Sequence, residues 1–195
     1  ASLRTTAKKY GDNYVLNGSK SFISGAGETD GLVLMARTGK EGAGGISCFL
    51  LHADIKGMEY GNKADKMGCR NQPTRIVSLS DVEIPASYLI GEEDQGFMIA
   101  MQGLDGGRIN IATCSIGTAQ AALEAAQKYM NEREQFGKKL SDFQALQFKL
   151  ADMTTELVAA RHFVRLAASK IDSEHSEATV YSAMAKRFAT DVGFN

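Results

Sequence analysis

From Phe97 to Tyr129 one spacing runs without a break: Phe97, Met101, Leu104, Arg108, Ile111, Ser115, Thr118, Ala122, Ala125 and Tyr129 alternate at four and three residues. That period is the face of a long α-helix and fits no strand. After an interruption at Phe136-Gly137-Lys138-Lys139, the series Phe143, Leu146, Leu150, Met153, Leu157, Ala160, Val164, Ala167 and Ile171 repeats it. The repeat predicts a second helix packed antiparallel on the first through a short loop. A third series, Val180, Ala183, Met184 and Phe188, begins near Ser176 and reaches Asn195 without a terminus. Three helices leave an apolar face without a partner, so further chain or a neighbouring subunit is expected to cover it.

The residues before Gly107 follow a different grammar. All but three of the 20 glycines lie there or earlier, the exceptions being Gly117, Gly137 and Gly193. Tyr14-Val15-Leu16 leads through Asn17-Gly18 into Ser19 to Ile23, and Asn-Gly between short runs predicts a hairpin closed by a type I′ turn. Further strands are expected at Leu32 to Arg37, Ile46 to Leu51, Met58 to Tyr60 and Ile76 to Val82, separated by glycine-rich or charged turns. The first 90 or so residues therefore read as all-β and the remainder as helical.

Composition removes several classes of function. The 195 residues carry 44% hydrophobic and 23% charged side chains, an ordinary globular balance with enough apolar content for a real core. Lys+Arg 22 against Asp+Glu 23 leaves a net charge of -1, without the bulk pull that a nucleic-acid backbone partner would require. No apolar run approaches the roughly 18 to 20 residues of a membrane-spanning helix. Cys48, Cys69 and Cys114 are widely spaced and odd in number, which predicts reduced thiols in an intracellular compartment. His52, His162 and His175 form no metal-ligand pattern. GxGxxG in a strand-to-helix setting, GxxxxGK[ST] and the GxSxG elbow are all missing, which argues against Rossmann, P-loop and hydrolase sites.

Three places invite chemistry. Arg108 interrupts an otherwise apolar and small helical stripe, with Asp105 one turn earlier. The pair is either an internal ion pair or a charge facing a ligand cavity. Gly106 and Gly107 each weaken a helix by about 1 kcal/mol relative to Ala, which favours a turn that leaves room for a ligand. Arg133-Glu134-Gln135-Phe136-Gly137-Lys138 is either a solvated basic corner or an arginine beside an aromatic ring, able to grip a phosphate and pack on a heterocycle. Ser141-Asp142-Phe143-Gln144 has the form of a capping box, with Gln144 bonding back to the Ser141 backbone.

Taken in order, Asn17-Gly18-Ser19-Lys20-Ser21-Phe22-Ile23-Ser24, Met67-Gly68, Thr74-Arg75, Gly91 with Gly96-Phe97, and Arg133-Glu134-Gln135-Phe136-Gly137 resemble the acyl-CoA dehydrogenase family. The resemblance spans the whole chain. It implies an α+β architecture, with a flavin- and acyl-CoA-binding middle β domain over residues 1–92. Residues 93–195 would then be a truncated part of the C-terminal antiparallel helical bundle, usually found in a homotetramer. Gly25-Ala26-Gly27-Glu28, Gln72-Pro73-Thr74-Arg75, Gly106 to Ala112 and Leu150-Ala151-Asp152-Met153 resemble members acting on a short branched-chain acyl-CoA, with isobutyryl-CoA and valine catabolism favoured.

Position by position, the resemblance places Phe22, Ile23 and Ser24 over the isoalloxazine of FAD. Arg133, Phe136, Phe143 and Gln144 match residues that meet the pyrophosphate and adenosine side of the FAD of a neighbouring subunit. Asp105, Gly106, Gly107 and Arg108 match the substrate-lining turn. Some relatives carry a catalytic glutamate where this chain has Gly107, so the resemblance places the base beyond Asn195 and no catalytic residue within the chain. The implied reaction is α,β-desaturation of an acyl-CoA thioester, with electrons passed to an electron-transfer flavoprotein. Another short-chain or 2-methyl-branched acyl-CoA dehydrogenase, an acyl-CoA oxidase and a non-catalytic assembly subunit of the same fold are the alternatives. The implied location is the mitochondrial matrix in a eukaryote or the cytoplasm in a bacterium.

Overall fold

The computed structural model describes residues 2–195, and the chain divides between Met101 and Gln102 into two compact units. The first is a seven-stranded sheet. In chain order its strands are β1 (Thr6–Tyr10), β2 (Asn13–Ser24), β3 (Gly31–Arg37), β4 (Ile46–His52), β5 (Met58–Tyr60), β6 (Thr74–Pro85) and β7 (Leu89–Ile90). They lie in the spatial order β5-β6-β2-β1-β3-β4-β7. Every neighbouring pair is antiparallel except β1 with β3. Alternation along the strands sends Tyr14 and Leu16 of β2, Leu34 and Ala36 of β3, and Val77, Leu79, Val82 and Ile84 of β6 into one core, joined by Phe49 and Leu51 of β4. The Tyr14 and Phe49 rings meet edge to face at 5.0 Å.

The expected hairpin at Asn17-Gly18 does not form. The chain turns earlier, at Gly11-Asp12, where Gly11 supplies a φ of 58° and Tyr10 pairs with Asn13. Thr6–Tyr10, the strand that takes the hairpin's place, has a single buried apolar side chain, Ala7, and so shows no alternation in the sequence. Asn17 and Gly18 instead lie inside the long β2, opposite a bulge in β6, where Asp81 adopts φ 47°. The Asn17 side chain clamps that bulge: its Oδ1 accepts from the Asp81 backbone N–H and its Nδ2 donates to Asp81 Oδ1, both at 2.9 Å. Gly18 is needed because a Cβ there would come within 2.8 Å of Thr5 Cα.

The second unit holds the helices α1 (Gly96–Glu132, which begins in the first unit), α2 (Gln144–Asp172) and α3 (Ala178–Phe194). Between α1 and α2 stand two short strands, β8 (Glu134–Gln135) and β9 (Lys138–Lys139). The buried seam is made largely of small residues: Ala112 and Ile116 of α1, Leu157, Ala160, Val164 and Ala167 of α2, and Ala185 and Ala189 of α3. Arg161 of α2 donates to Gln120 Oε1 of α1 at 2.6 Å.

On α2 the buried face is the expected one, but on α1 it is rotated. Ile109, Ala112, Ile116, Ala119 and Leu123 face the seam, whereas Met101, Leu104 and Ile111 of the expected stripe stay exposed. Helix α1 therefore has two apolar faces, and the one carrying Met101, Leu104 and Ile111 is not the one that packs within this unit. A groove of about 360 Å³ also remains open between Ala119, Ala122, Met153, Leu157, Val192 and Phe194.

The three cysteines are free. No helix is long and apolar enough to cross a membrane, and no group of three potential metal ligands forms among the described residues.

Candidate functional site

Three clusters emerge where the sequence placed chemistry, the first of them at the end of β2. Beyond Asn17, β2 pairs only with β6, so its other edge is open along Lys20–Ser24. A second bulge sits there: Ser21 and Phe22 face the single residue Ile76, and Phe22 takes φ 59°. A left-handed phenylalanine is strained by about 1–3 kcal/mol and persists only where its surroundings hold it. The strain turns the ring outward to 82% exposure while Ile23 packs against the core.

The strand's end is anchored on both sides. Ser24 pairs with Thr74, and the Gly25 N–H donates to Pro73 O at 2.8 Å. In the Gly25–Glu28 turn, Gly27 (φ 81°) passes over Arg75, where a Cβ would come within 3.3 Å of Nε. Glu28 is held by Lys63 at 2.9 Å and by Arg75 at 3.4 Å. Those cations, Lys63 foremost, keep its carboxyl below the ordinary glutamate value. Beside the open edge a cleft of about 190 Å³ is lined by Lys20, Ile23, Leu32, Met35 and Val77 among others. Burial there lowers the pKa of the Lys20 ammonium. The N-G-x-K and G-A-G-E runs stood in the sequence, but neither the Phe22 bulge nor the Glu28–Lys63–Arg75 cluster could be read from spacing.

The second cluster is the α1 turn Asp105 to Arg108. Arg108 forms the ion pair, Nη1 donating to Asp105 Oδ1 at 2.5 Å, while its side chain stays one-third exposed. A Cβ added at Gly106 or Gly107 would meet nothing within 4 Å, so the turn borders open space.

The third cluster is the link between α1 and α2. Phe136 (φ 54°) and Gly137 (φ 77°) form the two-residue loop of the β8–β9 hairpin, the doubly left-handed geometry of a type I′ turn. Phe136 is 91% exposed, with its ring edge-on to Phe143 at 6.4 Å. Lys138 Nζ lies 4.2 Å from the centre of the Phe143 ring. Arg133 is exposed beside the hairpin, and its carbonyl accepts from Leu140 N–H at 2.9 Å.

The capping box expected at Ser141 and Gln144 is absent. A 3₁₀ turn, Leu140–Asp142, intervenes, and α2 starts after Phe143 without a side-chain cap. The Asp142 carboxylate accepts from the Lys139 N–H at 3.2 Å, and Gln147, not Gln144, donates to Ser141 O at 2.7 Å. Gln144 is left exposed at the uncapped first turn.

The 25 residues separating Arg108 from Arg133 along α1 correspond to about 37 Å at a helical rise of 1.5 Å. The second and third clusters therefore lie at well-separated positions along the helix.

Comparison with known proteins bears on this arrangement. The profile for the acyl-CoA dehydrogenase C-terminal domain matches residues 94–195, and that for the middle domain matches residues 1–82. The chain belongs to the acyl-CoA dehydrogenase family. It is 49% identical to mitochondrial isobutyryl-CoA dehydrogenase of Bos taurus over 194 residues, covering 100% of this chain and 47% of that protein. It is 42% identical to the caffeyl-CoA reductase-Etf complex subunit CarC of Acetobacterium woodii, covering 97% of this chain and 50% of that one. Among solved structures, butyryl-CoA dehydrogenase of Megasphaera elsdenii superimposes with a TM-score of 0.91 at 46% identity, over 97% of this chain and 50% of that one. The chain thus spans about half the length of the acyl-CoA dehydrogenases it matches.

Proposed function

We propose that the protein to which this chain belongs is an FAD-dependent dehydrogenase of short branched-chain acyl-CoA thioesters. Isobutyryl-CoA is its favoured substrate, as in valine catabolism. The observation that carries the reading is the open β2 edge, where a strained bulge turns the Phe22 ring outward beside half-buried Ile23 and exposed Ser24, leaving apolar surface and free strand-edge groups. Such a surface suits an isoalloxazine ring, and acyl-CoA dehydrogenases are FAD-dependent flavoproteins. Whole-chain identity near one half to isobutyryl-CoA dehydrogenase supports the substrate.

In the reaction a carboxylate takes the α-proton of the thioester and the β-carbon loses a hydride. FAD, when bound, supplies the acceptor for that hydride, and an electron-transfer flavoprotein then removes the two electrons. The Etf in the name of the Acetobacterium woodii relative supports that partner. Within this chain, Phe22 to Ser24 orient the ring and exclude water from one side of it. The Asp105–Arg108 turn lines the substrate, with room above Gly106 and Gly107 for the acyl-thioester. Gly107 has no side chain to remove a proton, so that position does not supply the base.

Arg133, Phe136, Phe143 and Gln144 grip the pyrophosphate and adenosine side of a cofactor in a second subunit, which accounts for their separation from Arg108. The exposed Leu104, Ile111, Phe148 and Met184 offer apolar surface for a homotetramer. The setting is the mitochondrial matrix if the source is eukaryotic and the cytoplasm if it is bacterial.

The test is turnover of isobutyryl-CoA by the full-length protein, with electron-transfer flavoprotein or oxygen as acceptor. Formation of the α,β-unsaturated thioester coupled to the flavoprotein supports the reading. Stoichiometric peroxide in air would make the protein an oxidase, and absence of any turnover would make it a non-catalytic member.

A further inference from the structure

Both oxygens of Asp105 are occupied. Oδ1 accepts from Arg108 Nη1 at 2.5 Å, and Oδ2 accepts from the hydroxyl of Thr179, in the first turn of α3, at 2.6 Å. Thr179 lies 74 residues away in sequence and reaches Asp105 across the bundle. A carboxylate held at both oxygens cannot rotate, and because Asp105 and Arg108 sit one helical turn apart, its orientation fixes the guanidinium. Arg108 Nε and Nη2 have no hydrogen bond among the described residues, so the same contact that fixes the fork leaves its other donors for a ligand.

We infer that Thr179 is a positioning residue for substrate binding: through Asp105 it sets the direction in which Arg108 meets the acyl-CoA. The inference rests on the reading of the Asp105–Arg108 turn as substrate-lining. Thr179 touches neither substrate nor cofactor, and its effect passes through one carboxylate. A hydroxyl is sufficient for the role, so serine serves as well as threonine, whereas valine has the same shape and cannot donate.

The experiment is steady-state kinetics of full-length holoenzyme with isobutyryl-CoA for Thr179→Val, Thr179→Ser, Asp105→Asn, Arg108→Ala and the double variant Thr179→Val/Arg108→Ala, each checked for flavin content. We expect Thr179→Val to lower kcat/KM about three- to tenfold, the weight of one ordinary hydrogen bond, mainly through KM. Thr179→Ser should stay within about twofold of the parent, and Thr179→Val should add almost nothing once Arg108 is alanine. Should Thr179→Val not hold flavin, Asp105→Asn carries the same expectation through its weakened hold on Arg108.

An unchanged kcat/KM in Thr179→Val, alongside a large loss in Arg108→Ala, would overturn the positioning role and leave the substrate turn intact. Equal losses from Thr179→Val with and without Arg108 would also overturn it, by making the effect structural. No loss in Arg108→Ala would instead remove the substrate-turn reading on which the inference stands.

Discussion

Replacing Arg133 by alanine in the full-length protein separates cofactor binding from folding. The Arg133 side chain is exposed and makes no hydrogen bond or ion pair among the described residues, and the hairpin uses only its backbone. Its loss should therefore change stability by less than about 0.5 kcal/mol, the usual range for an uninvolved surface position. A charge-assisted hydrogen bond to a pyrophosphate contributes about 1.5–3 kcal/mol, equivalent to a roughly 10- to 150-fold rise in the FAD dissociation constant. An exposed charge pair is screened by salt, so the deficit should be largest at low ionic strength and shrink as salt is raised. The assay is equilibrium titration of deflavinated protein with FAD, followed by flavin fluorescence at two salt concentrations, beside a thermal melt of the apo form. Unchanged FAD affinity with an unchanged melt would refute the assignment of Arg133 to the cofactor, and a lowered apo melt would refute the claim that its side chain is idle in the fold.

Three further outcomes follow from the same structure. Phe22→Gly should stabilise the apo β unit by about 1 kcal/mol by relieving a left-handed φ while weakening flavin binding, a divergence that denaturant melts and FAD titration would expose. Gly18→Val should destabilise by more than about 2 kcal/mol, because its Cβ would press on the Thr5 backbone; a melt within 1 kcal/mol of the parent would contradict the close approach. The buried Tyr14 hydroxyl donates to Glu93, which lowers the Glu93 pKa, while burial foremost and then Glu93 push Tyr14 up to about 12. The Glu93 contribution to stability is present above its ordinary value of 4.5 and lost as pH falls through the lowered one. The Tyr14 contribution is complete below 10 and lost as pH rises through about 12. Stability measured against pH should therefore flatten on both limbs in Tyr14→Phe, and parallel curves would contradict the pairing.

What the sequence displayed was set by periodicity. Leu157, Ala160, Val164 and Ala167 repeat at helical spacing because one face of α2 is buried, and that face could be read directly. On α1 the same rule selected Met101, Leu104, Arg108 and Ile111, yet within this unit the packed face is one residue around, at Ala112 and Ile116. A helix with two apolar faces does not say which partner covers which. The Asn17-Gly18 pair carried a turn's local preference but was overruled by a strand, Thr6–Tyr10, too poor in buried side chains to announce itself. Contacts joining distant positions had no local signal at all. The hold of Thr179 on Asp105 and the grip of Lys63 and Arg75 on Glu28 exist only once the chain is folded.

The proposed role of this chain is the flavin- and substrate-facing part of a branched-chain acyl-CoA dehydrogenase. It is tested most directly by anaerobic titration of the full-length holoenzyme with a panel of acyl-CoAs, following the flavin absorbance at about 450 nm. Isobutyryl-CoA should bleach that band most completely and at the lowest concentration. A protein that holds no flavin, or flavin that no acyl-CoA bleaches, would contradict it.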